Sequence, residues 1–178
     1  MIISKRQSFA KTFIFLKAFQ FNKKVIVLFG PPGAGKGTYG SLLSKDLKYE
    51  IFSTGEDLRN IVKNETLNKN VYSSERIQNI RTKINEGKLV ENDFMFEYVK
   101  KKLELIDKAT NIQGVILDGY PRTIKQAIHL TSLVSANLTL NIFLKDEIII
   151  RKLLGRRFCP SCKENYNICD INEVYTIS

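Results

Sequence analysis

The stretch "VIVLFGPPGAGKGT", Val25 to Thr38, decides how the rest of this 178-residue chain is read. Its first part is a β-branched apolar run that stops at Gly30, the pattern of a short strand buried in a parallel sheet. Its second part is a glycine-rich turn that opens onto a helix predicted from Lys36 to about Lys48. Such a turn points free backbone N–H groups at one spot, at the positive end of the helix dipole. Lys36 adds a mobile ammonium there, so the segment predicts a phosphate cradle whose lysine reaches the β- and γ-phosphates. The alternative, a glycine turn arising by chance, does not account for strand, loop and helix standing in the required order. One detail departs from the general pattern. Gly37 follows the lysine where Ser or Thr is usual, and the hydroxyl comes one residue later, at Thr38.

Outward from this loop, strands and helices alternate. "GVILDG" (114–119) and "LTLNIFL" (138–144) read as two further strands, and helical segments fill most of 55–108. The clearest helix is "ENDFMFEYVKKKLELIDK" (91–108), with Asn92 or Asp93 as its cap and Phe94, Tyr98, Leu103 and Leu105 on its apolar side. A helix is predicted from Thr123 to about Val134, and another, capped by Asp146, as far as Gly155. The alternation predicts an α/β fold around a parallel sheet.

Composition narrows the function classes. The chain carries 43% hydrophobic and 26% charged residues, no apolar run long enough to span a membrane, and three cysteines, too few for a disulfide framework. The net charge of +10 suggests nucleic acid until it is located. Lys5, Arg6, Lys11, Lys17, Lys23 and Lys24 lie in residues 1–24, and the first acid of the chain is Asp46. The remaining +4 suits small anionic ligands better than a duplex. In the basic tail, Phe9, Phe13 and Leu16 share one face of a potential helix. An organellar transit peptide, an inert basic extension and a membrane-surface helix all fit that composition. The first predicts a mitochondrial or other organellar location, the second a cytoplasmic one.

The G-K-G-T variant is where the sequence resembles a known family, the adenylate kinases among the nucleoside monophosphate kinases. "STGEDLR" (53–59) is similar to the segment that opens the family's AMP-binding subdomain, and "GKLV" (87–90) to the segment lining the AMP adenine. "LDGYPRT" (117–123) is similar to L-D-G-F-P-R-T, and "GRRFCPSC" (155–162) to the approach to the mobile LID. The four stand in the family's order, and the resemblance covers about residues 25–170. It implies a P-loop three-layer α/β/α fold. Residues 1–24 would be an extension, 25–155 a kinase core holding a helical AMP-binding subdomain at 53–90, and 156–178 an incomplete LID.

The resemblance also implies roles. The reaction would be phosphoryl transfer between ATP and AMP, giving two ADP, with Mg²⁺ as cofactor. Gly33, Ala34, Gly35, Lys36, Gly37 and Thr38, with Lys152 and Arg156, would hold ATP. Thr54, Arg59, Ile84, Val90, Gly119, Arg122 and Gln126 would hold AMP, the two arginines gripping its phosphate and Thr54 and Gln126 reading its adenine. Lys36, Asp118, Arg122 and Arg156 would carry catalysis, and Thr38 and Asp118, partly through water, would hold Mg²⁺, with Glu56 assisting. The bland reading of Arg59 and Arg122 is surface charge or salt bridge. The acceptor is already an anionic oxygen, so no general base is required, and His129 reads as structural or exposed. A monomer with no nucleic-acid partner and no stable membrane span is expected.

Four features depart from the family. Lys152 stands where an arginine usually stacks on the donor base, leaving GTP open as an alternative donor. Tyr39 replaces the usual Gln after G-K-G-T, and the stretch from Ser53 to Val90 is several residues longer than usual. The fourth concerns Cys159 and Cys162, spaced as half of a structural zinc site. In zinc-bearing relatives a second pair follows at a distance that would fall just past Ser178. Cys169 comes too early, after Tyr166 and Asn167, which match the pair following the first knuckle. Zinc is therefore expected only if a second pair exists downstream, and two free thiols are the alternative. The resemblance further implies a chain that stops within the LID, before two transition-state arginines, a fifth strand and a long helix. Arginines of that kind contribute ~10³–10⁵ in rate elsewhere. A weakly active kinase and a non-catalytic nucleotide-binding fragment are both expected outcomes for such a chain.

Overall fold

The computed structural model describes residues 21–68, 71–162 and 165–169. The tail segment 1–20, with Phe9, Phe13 and Leu16, and the stretch 170–178 lie outside the described residues.

Four parallel strands form the sheet, in the order β2-β3-β1-β4. They are β1 (Lys24–Phe29), β2 (Tyr49–Ser53), β3 (Gly114–Asp118) and β4 (Leu138–Asn141). The apolar run at the head of the loop becomes β1, paired on both sides, with Val25 to Leu28 all buried. β1 and β3 run in register from Lys24 opposite Gly114 to Leu28 opposite Asp118. The two strands therefore deliver Gly30 and Gly119 to the same end of the sheet. Helices on both faces give the α/β fold expected from the sequence.

Seven helices accompany the strands among the described residues: α1 (Lys36–Leu47), α2 (Thr54–Lys63), α3 (Glu65–Asn68), α4 (Ser74–Asn85), α5 (Asn92–Lys108), α6 (Ile124–Leu133) and α7 (Asp146–Leu154). Because successive strand residues face opposite ways, Ile26, Leu28 and Ile116 meet Leu43 of α1 on one face. Val25, Val27, Val115 and Leu117 meet the larger core on the other. That core joins Phe52 of β2 to Leu58 and Ile61 of α2, Ile77 and Ile80 of α4, and Val99 and Leu103 of α5. Phe52 is fully buried, and its replacement by Ala is expected to cost about 3–5 kcal/mol. Phe21 is also buried in this core, and Lys23 donates to the carbonyls of Ala109 and Ile112, so packing begins ahead of Val25.

The structure differs from the sequence expectations at four points. Tyr49–Ser53 is a strand, β2, which the sequence did not announce. Leu105 is 65% exposed, while Met95, Val99 and Ile106 join Phe94 and Leu103 on the buried side of α5. Two residues past Leu103 is about 200° around a helix, which carries Leu105 to the solvent side. The expected caps also differ. Glu91 precedes α5 and Lys145 precedes α7, neither making a side-chain cap bond. By contrast, Ser73 and Thr123 do cap α4 and α6, accepting from the N–H groups of Arg76 and Gln126. β4 is shorter than the predicted strand, ending at Asn141. After Gly155 the chain forms a small antiparallel ribbon, β5 (Arg156–Phe158) with β6 (Asn165–Asn167).

Candidate active site

The loop after β1 turns tightly. Gly30 has φ 137°, and a Cβ there would collide with the carbonyl oxygen of Ile142, so only glycine fits. Ala34 N–H donates to Pro31 O, closing the turn, and the first bond of α1 runs from Tyr39 N–H to Gly35 O. The N–H groups of Lys36, Gly37 and Thr38 therefore precede the helix ladder, and Gly35 brings no side chain to cap them. That leaves a positive, donor-rich helix end. The Lys36 ammonium lies back across the loop, donating to Gly30 O at 2.9 Å and Pro31 O at 3.0 Å. Burial lowers its pKa, Asp118 opposes that, and Arg122 adds to it. Lys36 thus senses both the end of β3 and the turn beyond it.

Beside the loop is a second concavity. Thr54, Arg59, Ile84, Val90, Gly119, Arg122 and Gln126, which come from α2, α4, the segment before α5, the turn after β3 and α6, line one cavity. Leu89, Gly119 and Arg122 also line the cleft that contains Gly30 and Lys36, so the two hollows adjoin. Thr54, 2% exposed, donates to Gly119 O at 2.9 Å, and Arg122 Nε donates to the same oxygen at 2.8 Å. Gly119 has φ 80°, and a Cβ on it would stand 2.7 Å from Arg122 Nη2. Gln126, 3% exposed, accepts from Arg122 N–H at 2.8 Å and donates to Asn92 Oδ1 at 3.1 Å. Neither Arg59 nor Arg122 has an ion-pair partner among the described residues, although the two guanidiniums come together over Gly55. Two cations gathered without an acid suit an anion with several oxygens.

The other expected residues are placed as follows. Asp118 ends β3 and accepts weakly from Ser53 Oγ at 3.4 Å. Thr38 is exposed at the first turn of α1, and Glu56 is exposed in that of α2. Lys152 reaches the loop: a Cβ on Gly35 would lie 3.6 Å from its Nζ and 3.3 Å from the Tyr39 ring. Arg156 is exposed at the start of β5 and lines neither hollow. Cys162 Sγ lies 3.3 Å from the Tyr166 hydroxyl, and none of the three cysteines is in a disulfide. Among the described residues no group of three or more His, Cys, Asp or Glu could hold a metal. Gly55, Leu58 and Met95 also line the second cavity and were not singled out from the sequence. Gly55 and Leu58 both lie inside the quoted "STGEDLR" and could have been found there, whereas Met95, in a helix, has the apolar type of an ordinary core residue.

The family model described as "Adenylate kinase" matches residues 28–176. The "GTP:AMP phosphotransferase" of Plasmodium falciparum (isolate 3D7) is 36% identical over 149 residues, which are 83% of this chain and 61% of that protein. "Probable adenylate kinase 6, chloroplastic" of Arabidopsis thaliana is 37% identical over 146 residues, 82% of this chain and 46% of its own length. An "Adenylate kinase" of Borrelia recurrentis (strain A1) is 35% identical over 153 residues, 85% and 63% respectively. The chain thus spans less than two thirds of each of these relatives. With the family model running through most of its length, the chain belongs to the adenylate kinase family.

Proposed function

We propose that the chain transfers a phosphoryl group between ATP and AMP, giving two ADP. The loop of Gly33–Thr38 is the donor site and the cavity at Gly55 and Gly119 the acceptor site. The observation that carries this is the pair of guanidiniums, Arg59 and Arg122, without an ion-pair partner among the described residues, in a cavity adjoining the Lys36 loop. A monoanionic site would need one cation, whereas two suit a phosphate dianion.

In this role the N–H groups of Lys36, Gly37 and Thr38 hold the donor phosphates, and Lys36 exchanges its loop carbonyls for phosphate oxygens. Arg59 and Arg122 fix the acceptor phosphate. Arg122, electrostatically coupled to Lys36, also faces the charge that spreads as the phosphoryl moves. Proximity and neutralisation carry the rate, because the attacking oxygen is already anionic. Asp118 and Thr38 offer the hard oxygen donors that Mg²⁺ takes alongside phosphates and water, and the bound ion would neutralise phosphate charge. Gln126 and Thr54 read the acceptor base.

Residues 25–155 act as the kinase core, 53–90 as its AMP-binding subdomain and 156–178 as LID, with both nucleotide sites inside one monomer. An organellar location is supported by the basic tail and by the chloroplastic names of two plant relatives; a fusion of residues 1–24 to a fluorescent protein tests it.

The decisive experiment is ADP formation from ATP and AMP, set against a Lys36→Ala control. Turnover no greater than the control, with both nucleotides bound, would leave a non-catalytic nucleotide-binding protein. A second donor, GTP, is favoured by Lys152 beside Gly35 and by the name of the Plasmodium relative; kcat/KM for the two donors separates them.

A further inference from the structure

We propose that His129 is a positioning residue for the acceptor site, acting through the Tyr120 hydroxyl to keep the Gly119–Arg122 turn in register. The role rests on the cavity being that site.

Two parallel rungs join α5, α6 and this turn. The front rung runs from Asn92 of α5 to the Gln126 amide of α6 and on to Arg122 N–H. One helical turn further along both helices lies the rear rung. Phe96, four residues after Asn92, stacks on His129, three residues after Gln126, with ring centroids 4.2 Å apart and planes 11° apart. His129 Nδ1 then meets the Tyr120 hydroxyl at 2.9 Å. Tyr120 is 1% exposed, and burial raises its pKa, so its hydroxyl is the donor. Burial and the nearby Lys100 of α5 lower the pKa of His129, favouring the neutral ring that accepts at Nδ1.

The rungs differ in what a ligand does to them. A base that hydrogen-bonds to the Gln126 amide competes directly with Asn92 and Arg122 N–H, so the front rung loosens as the site fills. The rear rung lies among Phe96, Tyr120 and His129, none of which lines the cavity, and it remains intact. Tyr120 is joined directly to Gly119, whose carbonyl holds both Thr54 and the Arg122 guanidinium. Fixing residue 120 therefore fixes the Arg122 fork while Gln126 changes partners. A phenylalanine would fill the same core volume as Tyr120, and the hydroxyl adds only the bond to His129.

The test is calorimetric titration of the full chain with AMP and, separately, ATP, for wild type, Tyr120→Phe, His129→Phe and the double variant. Each variant is expected to bind AMP about fivefold more weakly, in line with one lost hydrogen bond, with ATP affinity unchanged. In the double variant no polar atom is left unpaired, so thermal stability should recover while AMP affinity stays low. Recovery of both together would reduce the pair to ordinary packing and overturn the proposal. So would unchanged AMP affinity in Tyr120→Phe. Wild type that binds ATP but no AMP would remove the acceptor-site reading itself, and this proposal with it.

Discussion

Arg59 and Arg122 reach the same point from different elements, one on α2 and one in the turn after β3. A Cβ placed on Gly55 would stand 3.4 Å from Arg59 Nη1 and 3.5 Å from Arg122 Nη2. Without a ligand this convergence is repulsive, so removing one charge should relieve the fold while harming the site. Arg59→Met is expected to leave the melting temperature unchanged or raised and to weaken AMP binding by roughly tenfold or more. Calorimetric titration alongside a thermal melt would check both; undiminished AMP affinity would return Arg59 to the surface-charge reading.

Lys36 behaves oppositely. Its ammonium satisfies two carbonyls of its own loop and stands beside an otherwise uncapped helix end. Lys36→Ala is expected to cut ATP affinity by more than tenfold and leave AMP affinity nearly unchanged, because the acceptor cavity has its own cations. Paired titrations with the two nucleotides read this directly.

At Gly30, geometry rather than charge is limiting. Gly30→Ala must place a methyl group against the Ile142 carbonyl at a φ that side chains rarely adopt. A loss of about 2–4 kcal/mol is expected in urea unfolding, from strain and clash together. Gly37, with nothing within 4 Å of an added Cβ, is the control: Gly37→Ala should unfold much as wild type does.

His129 gives the fold a pH dependence of defined sign. Its pKa is lowered in the folded protein by burial and then by Lys100, while the ring also faces the neutral Tyr120 hydroxyl. Below the ordinary value of about 6.5 the unfolded chain takes up the proton more readily, so stability is full above that pH and is lost as pH falls through it. Thermal melts between pH 7.5 and 5.5 should show a smaller drop for His129→Phe than for wild type. Equal slopes would mean that the imidazole does not differ between the two states.

What could be read from the sequence follows from how locally each feature is encoded. β1 and its loop are a continuous apolar run followed by glycines, and both buried faces of β1 are visible in four consecutive residues. The cavity residues lie far apart in the chain, yet each belongs to a short motif, and the seven named for AMP line a single hollow. β2 has a weak local signature because "YEIFS" is five residues long, contains Glu50 and, among the described residues, pairs only with β3. Leu105 is apolar by residue type, yet its helical angle from Leu103 turns it to solvent. The Tyr120–His129 bond has no local signature at all, since it depends on how α6 folds back across the turn.

Leu28 of β1 and Asp118 of β3 are register partners, and the two proposed nucleotide sites begin at the residues just beyond them. The sites are thus anchored one interstrand spacing apart, about 4.8 Å at their bases. Domain motions elsewhere can tilt what lies above this ruler but cannot stretch it. A one-residue slip of β3 would put Leu117 where Asp118 stands and reverse which face each side chain meets. The proposed donor and acceptor sites therefore share a baseline that cannot drift without first unzipping the middle of the sheet, and amide hydrogen exchange along β1 should be among the slowest in the molecule.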